Sequence, residues 1–331
     1  MNEPGIPAPL YVSSSAPLPP GALTFGQILD RIYHLTRSNF RLFVSIASAP
    51  AAVLAVFNAL MTAAILLIMK PWHPQFPPAP FPMMGWFFAA VFLFDLLILV
   101  IFALYEAAAS FAALQANAGI KVTFGQSWAF AWRKAGRYTW LAILRALIVA
   151  LPIMIVAGLI AGSAVYAMMR SKSGFDPQAF FTVFPLLMLL DLGAVVYAVL
   201  IMLRILLAVP ACVAENLSAW RSICRSNQLT QGARGRIFLL GLVLYAIVYV
   251  AVLVFELAIF SIAAIGVLAG SVAHLAMVPW GWIGIGILAV VFVCALWIWS
   301  ACIWAVYSSA VVVVYHDQRL RKESISRAPA A

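Results

Sequence analysis

An all-helical integral membrane protein, with six spans in three hairpin units each preceded by a cytoplasmic-face amphipathic helix, is the fold class this sequence predicts. Three observations carry the expectation: a composition that no water-soluble fold can balance, six long apolar runs, and a short basic segment that returns before every second run. Hydrophobic residues make up 66% of the chain and charged residues 9%, against roughly 45–50% apolar and about 25% charged in soluble domains. So few charges cannot cover so large an apolar content in water.

The apolar runs fall at residues 40–69, 85–118, 138–169, 179–214, 236–270 and 281–314. Each exceeds the roughly 20 residues a helix needs to cross the hydrocarbon layer, so the longer ones tilt, kink or project into water. Pro50, Pro152 and Pro210 are the candidate kinks. Residues 1–22 are rich in Pro, Ala and Ser and lack a basic n-region, which reads as a disordered tail in place of a cleavable signal peptide.

The net charge of +10 invites a nucleic-acid reading, but its distribution argues against one. Cations cluster beside alternate span ends: Arg31, Arg37 and Arg41; Lys121, Arg133, Lys134 and Arg137; Arg221, Arg225, Arg234 and Arg236; Arg319, Arg321, Lys322 and Arg327. The intervening loops carry Lys70, Arg170 and Lys172 alone. Basic loops stay cytoplasmic, so both termini are expected inside, with anionic lipid headgroups as partners and no nucleic acid.

The segment TFGQ occurs at Thr24–Gln27 and again at Thr123–Gln126. Thr and Gln three apart make a capping box, in which the hydroxyl accepts an orphan helix N–H and the amide reaches back to the cap. Behind Thr24, Phe25, Ile28, Leu29, Ile32 and Tyr33 form an apolar stripe; behind Thr123 the stripe is Phe124, Trp128, Ala131 and Trp132. A third stretch aligns Leu217, Trp220, Ile223 and Cys224 against Arg221 and Arg225, with Ser218 as cap but Arg221 where the Gln would stand. Such helices suit a membrane interface, apolar face in the acyl boundary and cations among headgroups. The chain thus divides into a tail (1–22), units 23–119, 120–214 and 215–318, and a basic C-terminal tail (319–331). Asp95 precedes Thr123 by 28 residues and Asp191 precedes Ser218 by 27, which aligns the first two units further. Gly136 and Gly232 sit where each short helix would break from its span.

The stretches TFGQILDRIYHLTRSNF, PACVAENLSAWRSICRSNQLTQGARGRIF and VVVVYHDQRLRKE resemble the membrane domain associated with bacterial glycerophosphoryl diester phosphodiesterases and similar stand-alone multi-spanning proteins. The resemblance covers roughly residues 23–323. It implies a helical domain in a bacterial cytoplasmic membrane and transfers no catalysis, since in two-domain relatives a separate soluble barrel carries the chemistry. Such barrels take about 250 residues, for which the chain has no room.

Catalytic signatures such as HExxH, GxSxG or a phosphate-binding GxxxxGK[ST] do not occur, and His34, His73, His274 and His316 are scattered near loops or interfaces. Cys212, Cys224, Cys294 and Cys302 show no CxxC spacing and read as packing residues, so neither metal nor cofactor is expected. Ionisable groups inside spans are costly and usually face protein or water. Glu106, Arg145 and Arg204 read as an inner tier, and Asp95, Asp191 and Glu256 as an outer one. A functional reading makes the outer acids a proton or cation site and the inner arginines a seat for lipid phosphate; a structural reading pairs Glu106 with Arg145 or Arg204 as interhelical fastening.

Two GxxxG matches, Gly158–Gly162 and Gly266–Gly270, predict close helix approach. Trp72, Phe76, Phe81 and Trp86, on a proline-stiffened outer loop, predict an aromatic rim. The headgroup contacts expected are Arg31, Arg37, Arg133, Lys134, Arg137, Arg221 and Arg225. The function expected is a non-enzymatic lipid-engaging or assembly-supporting membrane module, with a membrane-protein partner or a second copy as further partners. The alternative is a transporter built on Asp95, Asp191 and Arg204 around a central cavity, and an intramembrane lipid phosphodiesterase ranks third.

Overall fold

A computed structural model describes residues 23–69, 81–170, 177–273 and 279–327. These form ten helices and no strand: α1 (Phe25–Ser38), α2 (Phe40–Met69), α3 (Phe81–Asn117), α4 (Phe124–Arg133), α5 (Ala135–Arg170), α6 (Pro177–Ile205), α7 (Ala208–Ala214), α8 (Ala219–Thr230), α9 (Arg234–Ala273) and α10 (Pro279–Arg327). Six stretches are long and apolar enough to cross a membrane: Phe40–Phe57, Val91–Asn117, Ala135–Ser163, Pro185–Ala214, Arg234–Phe255 and Trp297–Glu323. The protein is therefore a multi-pass membrane protein. The N-terminal tail, the outer-loop residues Trp72 and Phe76, the side chains of Phe81 and Trp86, and those of Gly266 and Gly270 lie outside the described residues.

The spans are arranged as a ring. Each packs against its neighbours in order, α2 on α3, α3 on α5, α5 on α6, α6 on α9 and α9 on α10, and α10 closes the ring against α2. α3 also meets α10 across the middle, and α4 and α7 pack on it from the side. The buried core lies at one end, where α2, α5 and α9 begin and α3 and α6 finish, against the second half of α10. Ala107, Ala108, Ala109, Ala112 and Ala113 of α3 are each at most 1% exposed; without bulky side chains there, neighbouring backbones come close on several sides. Towards the other end Phe92, Leu93, Met154, Leu159, Leu189 and Val254 are exposed, a surface that suits hydrocarbon and not water.

Both TFGQ segments close the boxes their spacing predicts. Thr24 Oγ1 accepts from Gln27 N at 3.4 Å while Thr24 N donates to Gln27 Oε1 at 2.8 Å, and Thr123 and Gln126 repeat this at 3.4 and 3.0 Å. Ser218 holds the cap position of α8 without a side-chain cap bond. The faces these helices bury differ from the predicted stripes. α1 turns Ile28, Ile32, Leu35 and Thr36 inward and leaves Tyr33 exposed; α4 buries Ser127 and Ala131 while Phe124 and Trp132 stay outside. In α8, Ile223 is buried and Trp220 and Cys224 are exposed. The inward face is mainly aliphatic in α1, small in α4 and a mixture of the two in α8, and Tyr33, Trp132 and Trp220 remain on the rim.

Other expectations are met in part and corrected in part. The run 179–214 is broken at Leu206 and Leu207, between α6 and α7: Pro210 has no N–H, and its ring clashes with the carbonyl of Leu206 four residues back. The freed groups are taken up by Ser226 of α8, whose Oγ donates to Arg204 O at 2.7 Å and accepts from Leu207 N at 3.1 Å. Pro50 and Pro152, by contrast, lie inside continuous helices. Each short helix does break from its span, at Lys134 between α4 and α5 and at Gly232, which adopts φ +84, whereas Gly136 is already helical. Gly158 and Gly162 are exposed and a Cβ at either would meet nothing, so these two positions face away from the neighbouring helices. Residues 319–327 continue α10 instead of forming a separate tail.

That continuation closes the two ends of the chain together. The Asp317 side chain is fully buried and accepts from Leu23 N at 3.0 Å, from Gln318 Nε2 at 3.2 Å and from Arg321 Nε at 2.9 Å, with Arg236 Nη1 at 3.6 Å. Leu23 O in turn accepts from Arg321 Nη2 at 2.7 Å and from Arg236. Asp317→Ala would take the shared carboxylate from two guanidiniums and two amide N–H groups, at a cost of about 3 kcal/mol. A lower thermal denaturation midpoint in detergent is expected for this variant, with Lys322→Gln unchanged as the control.

Candidate functional site

Two arrangements of polar groups stand out, one inside the bundle and one on its rim. Inside, Glu106 on α3 and Arg145 on α5 face each other one turn from the packed alanines, at 24% and 18% side-chain exposure. Arg145 Nη1 donates to Glu106 Oε2, and Glu106 Oε1 receives no hydrogen bond from the described residues. Of the two pairings expected from sequence, the partner is Arg145; Arg204 is exposed on α6 and stands apart from the pair.

The pair forms a wall between two spaces. On one side is a void of about 20 Å³ lined by Tyr105, Ser110, Tyr307 and Ser308 together with Leu206 and Pro210, the size of a single water site. On the other is a cavity of about 240 Å³ whose lining, apart from Glu106, Arg145 and Tyr307, is apolar: Leu99, Phe102, Val149, Met202 and their neighbours on α3, α5 and α6. Among the described residues, none of α9 belongs to either lining.

The outer acids are not gathered here. Asp95 is exposed on α3, Asp191 is partly exposed on α6, and neither lines the cavity. Among the described residues neither makes a hydrogen bond or ion pair. Glu256 lies on α9 with its side chain outside the described residues.

On the rim, the seven cations expected at headgroups divide into four groups. Arg31 and Arg225 are engaged within the protein: Arg31 donates through Nε and Nη2 to Asn117 Oδ1 at 3.0 and 2.8 Å, and burial holds its guanidinium below the ordinary value. Arg225 Nε meets both oxygens of Glu215 at 3.0 and 3.1 Å, and Tyr315 adds a hydrogen bond to Glu215 at 2.9 Å. Arg37 donates to Tyr33 on its own helix at 2.9 Å. Arg133 and Arg221 are exposed, with no carboxylate partner among the described residues.

Lys134 and Arg137 converge on one neutral oxygen. Lys134 Nζ lies 2.6 Å and Arg137 Nη1 2.8 Å from Asn216 Oδ1, and Arg137 also donates to Asn216 O at 3.2 Å. Asn216 adopts φ 51, a left-handed conformation that asparagine tolerates better than most residues. Desolvation at this junction and then the neighbouring Arg137 charge hold the Lys134 ammonium below its ordinary value. Two cations sharing an uncharged acceptor leave a local excess of positive charge, and an arriving anion relieves it. Trp132, Trp140 and Trp220 stand exposed on the same rim, as aromatic side chains do at a membrane–water boundary.

Several of these partners were not legible as functional residues. Asp317, Glu215 and Asn216 sit in basic or junctional stretches, and Tyr307 in an apolar one. The i,i+4 spacing of Asp317 and Arg321 is a signal for the first, and an acid inside an otherwise basic junction is one for Glu215.

Glu106→Leu alone would leave Arg145 unpaired inside a span, costing about 3 kcal/mol, whereas Glu106→Leu with Arg145→Met returns stability close to that of the wild type. Denaturation of the two single variants and the double variant in detergent measures this cycle. No protein-family model matches the chain, nor does any curated protein or solved structure, so the geometry of the pair and of the rim carries the functional reading by itself.

Proposed function

We propose that this chain is a non-enzymatic module of a bacterial cytoplasmic membrane, with both termini and the three short amphipathic helices at the cytoplasmic face, which engages anionic lipid and supports membrane-protein assembly. The observation that carries the reading is the Lys134–Arg137 pair, which has a neutral amide for its shared partner and exposed tryptophans beside it. Exposed Arg133 and Arg221 extend the same positive rim. Each cation near an anionic surface contributes about 1 kcal/mol of attraction.

The three hairpin units, α1–α3, α4–α7 and α8–α10, each introduce a span pair with one short helix, and the charge bias of the junctions supports their cytoplasmic position. One of the stretches that resemble the phosphodiesterase-associated membrane domain, residues 210–238, supplies Asn216, Trp220 and Arg221 to this rim, and kinship with that group is part of the proposal. Ion-coupled transport through Asp95 and Asp191 has less support, since the two acids do not share the cavity.

Replacing Arg133, Lys134 and Arg137 by Gln should weaken retention of phosphatidylglycerol by roughly a hundredfold, the product of three such contributions. Native mass spectrometry of the gently purified full chain reads the change, and undiminished retention would reject lipid engagement at this rim. Cysteine labelling from the two sides of sealed vesicles should place the surroundings of Trp128 and Trp220 on the same side as both termini.

A further inference from the structure

The cavity beside Glu106 and Arg145 combines properties that narrow what it can hold. Its floor is an ion pair, and its walls are Leu99, Phe102, Ala103, Val149, Met202 and other apolar side chains. Because the carboxylate sits against the guanidinium, the floor is close to neutral. An anionic headgroup would meet Glu106 and a cationic one would meet Arg145, each losing on one partner what it gains on the other.

A neutral group that both donates and accepts suits both. A guanidinium carries five N–H donors, so Arg145 has capacity beyond its bond to Glu106, and Glu106 Oε1 is a free acceptor among the described residues. A hydroxyl satisfies the two together, accepting from Arg145 and donating to Glu106. Tyr307, on the same wall, adds a third polar atom.

Size limits the rest of the molecule. At about 240 Å³ the space falls below the roughly 300–1,000 Å³ of sites that enclose a whole drug-sized ligand. It has room for a head and the first methylenes of one chain. Met202 and Tyr307 on its walls are themselves exposed, so the space opens between helices at a level where the surroundings are hydrocarbon.

We infer that the space bounded by α3, α5, α6 and Tyr307 of α10 binds a neutral single-chain amphiphile with a hydroxyl head, of the long-chain alcohol or monoacylglycerol class. The head oxygen sits beside the ion pair, accepting from a further N–H of Arg145 and donating to Glu106 Oε1, and the chain leaves along Leu99, Phe102, Val149 and Met202. This site is separate from the basic rim and does not depend on lipid engagement there. It also departs from the expectation that Arg145 would seat a lipid phosphate.

The test uses the full chain in phosphatidylcholine nanodiscs with two photoreactive probes of equal length, a long-chain diazirine alcohol and the matching carboxylic acid. Mapped by mass spectrometry, the alcohol should label Leu99, Phe102, Val149 or Met202 in preference to the exposed Leu159 and Leu253, and unlabelled monoacylglycerol should compete. The acid should label these positions roughly tenfold less, a difference of about 1.4 kcal/mol. Glu106→Gln, which keeps an acceptor for Arg145 but removes the negative charge, should invert the order of the two probes. Val149→Trp fills the space and should reduce labelling about tenfold, and Ala146→Leu serves the same purpose if the tryptophan variant does not purify as a single species. Labelling spread evenly over the apolar surface would overturn the site. Equal labelling by acid and alcohol, unmoved by Glu106→Gln, would overturn its selectivity and with it the role given to the pair.

Discussion

Everything at the packed end of this protein depends on how closely other helices can approach α3. Between Ala103 and Ala113 that helix presents alanines on several sides, and α2, α4, α5, α7 and α10 all touch it. In a bilayer, lipid tails are as apolar as leucine, so helices gain little from hiding apolar surface from one another and association rests on close contact and interhelical hydrogen bonds. The structure supplies both around α3: small residues for the contact, and the Tyr105 hydroxyl donating to Trp304 O of α10 at 2.7 Å for the bond. Trp297 of α10 donates to Ser48 O of α2 at 2.9 Å and Thr36 of α1 meets Ser309 of α10 at 2.6 Å, so the helices gathered around α3 are also tied to one another.

Polar side chains are used mainly where a backbone is interrupted or a chain end has to be held. Ser226 takes both groups released at the α6–α7 break, the capping boxes close the starts of α1 and α4, and Asp317 holds the backbone of Leu23. A backbone group without a partner is expensive away from water, which explains why these side chains sit at discontinuities and not along the spans. Glu106 and Arg145 are different. Like Tyr105 and Trp297 they join continuous helices that need no repair, but they do so as opposite charges next to a cavity, which is why the pair draws attention as more than a fastening.

Most of the architecture was legible in the sequence because its causes are local or additive. Six apolar runs predict six spans, and Thr–Gln spacing predicts two helix starts down to the hydrogen bonds. What was not legible depends on which residues meet across the ring. The apolar stripes of α1, α4 and α8 suit a lipid-facing position in sequence, yet Ile28, Ile32 and Ile223 face protein while Tyr33, Trp132 and Trp220 face outward, because helical periodicity identifies a face without saying what covers it. The same limit applies to charge. Residue counting put Glu106, Arg145 and Arg204 at one height, but rotation about the helix axis decides that Arg204 points away from the other two. Arg31 reads in sequence as a free cation because nothing there links it to Asn117 on another helix, and for Arg225 the only signal is that Glu215, across a loop, is an acid in a basic junction.

α10 is 49 residues long, about 74 Å at the usual rise per residue, well over twice the roughly 30 Å hydrocarbon thickness of a bilayer. Tilting by the customary 20° or so shortens its vertical reach only slightly. Much of this rod must therefore stand clear of hydrocarbon, and α1 is fastened to it near its C-terminal part through Thr36 and Leu23. The elevation of that short helix is thus set by a rigid post and not by its own affinity for headgroups. A thicker or thinner membrane would slide the lipid boundary along α10 while the docked helix keeps its station.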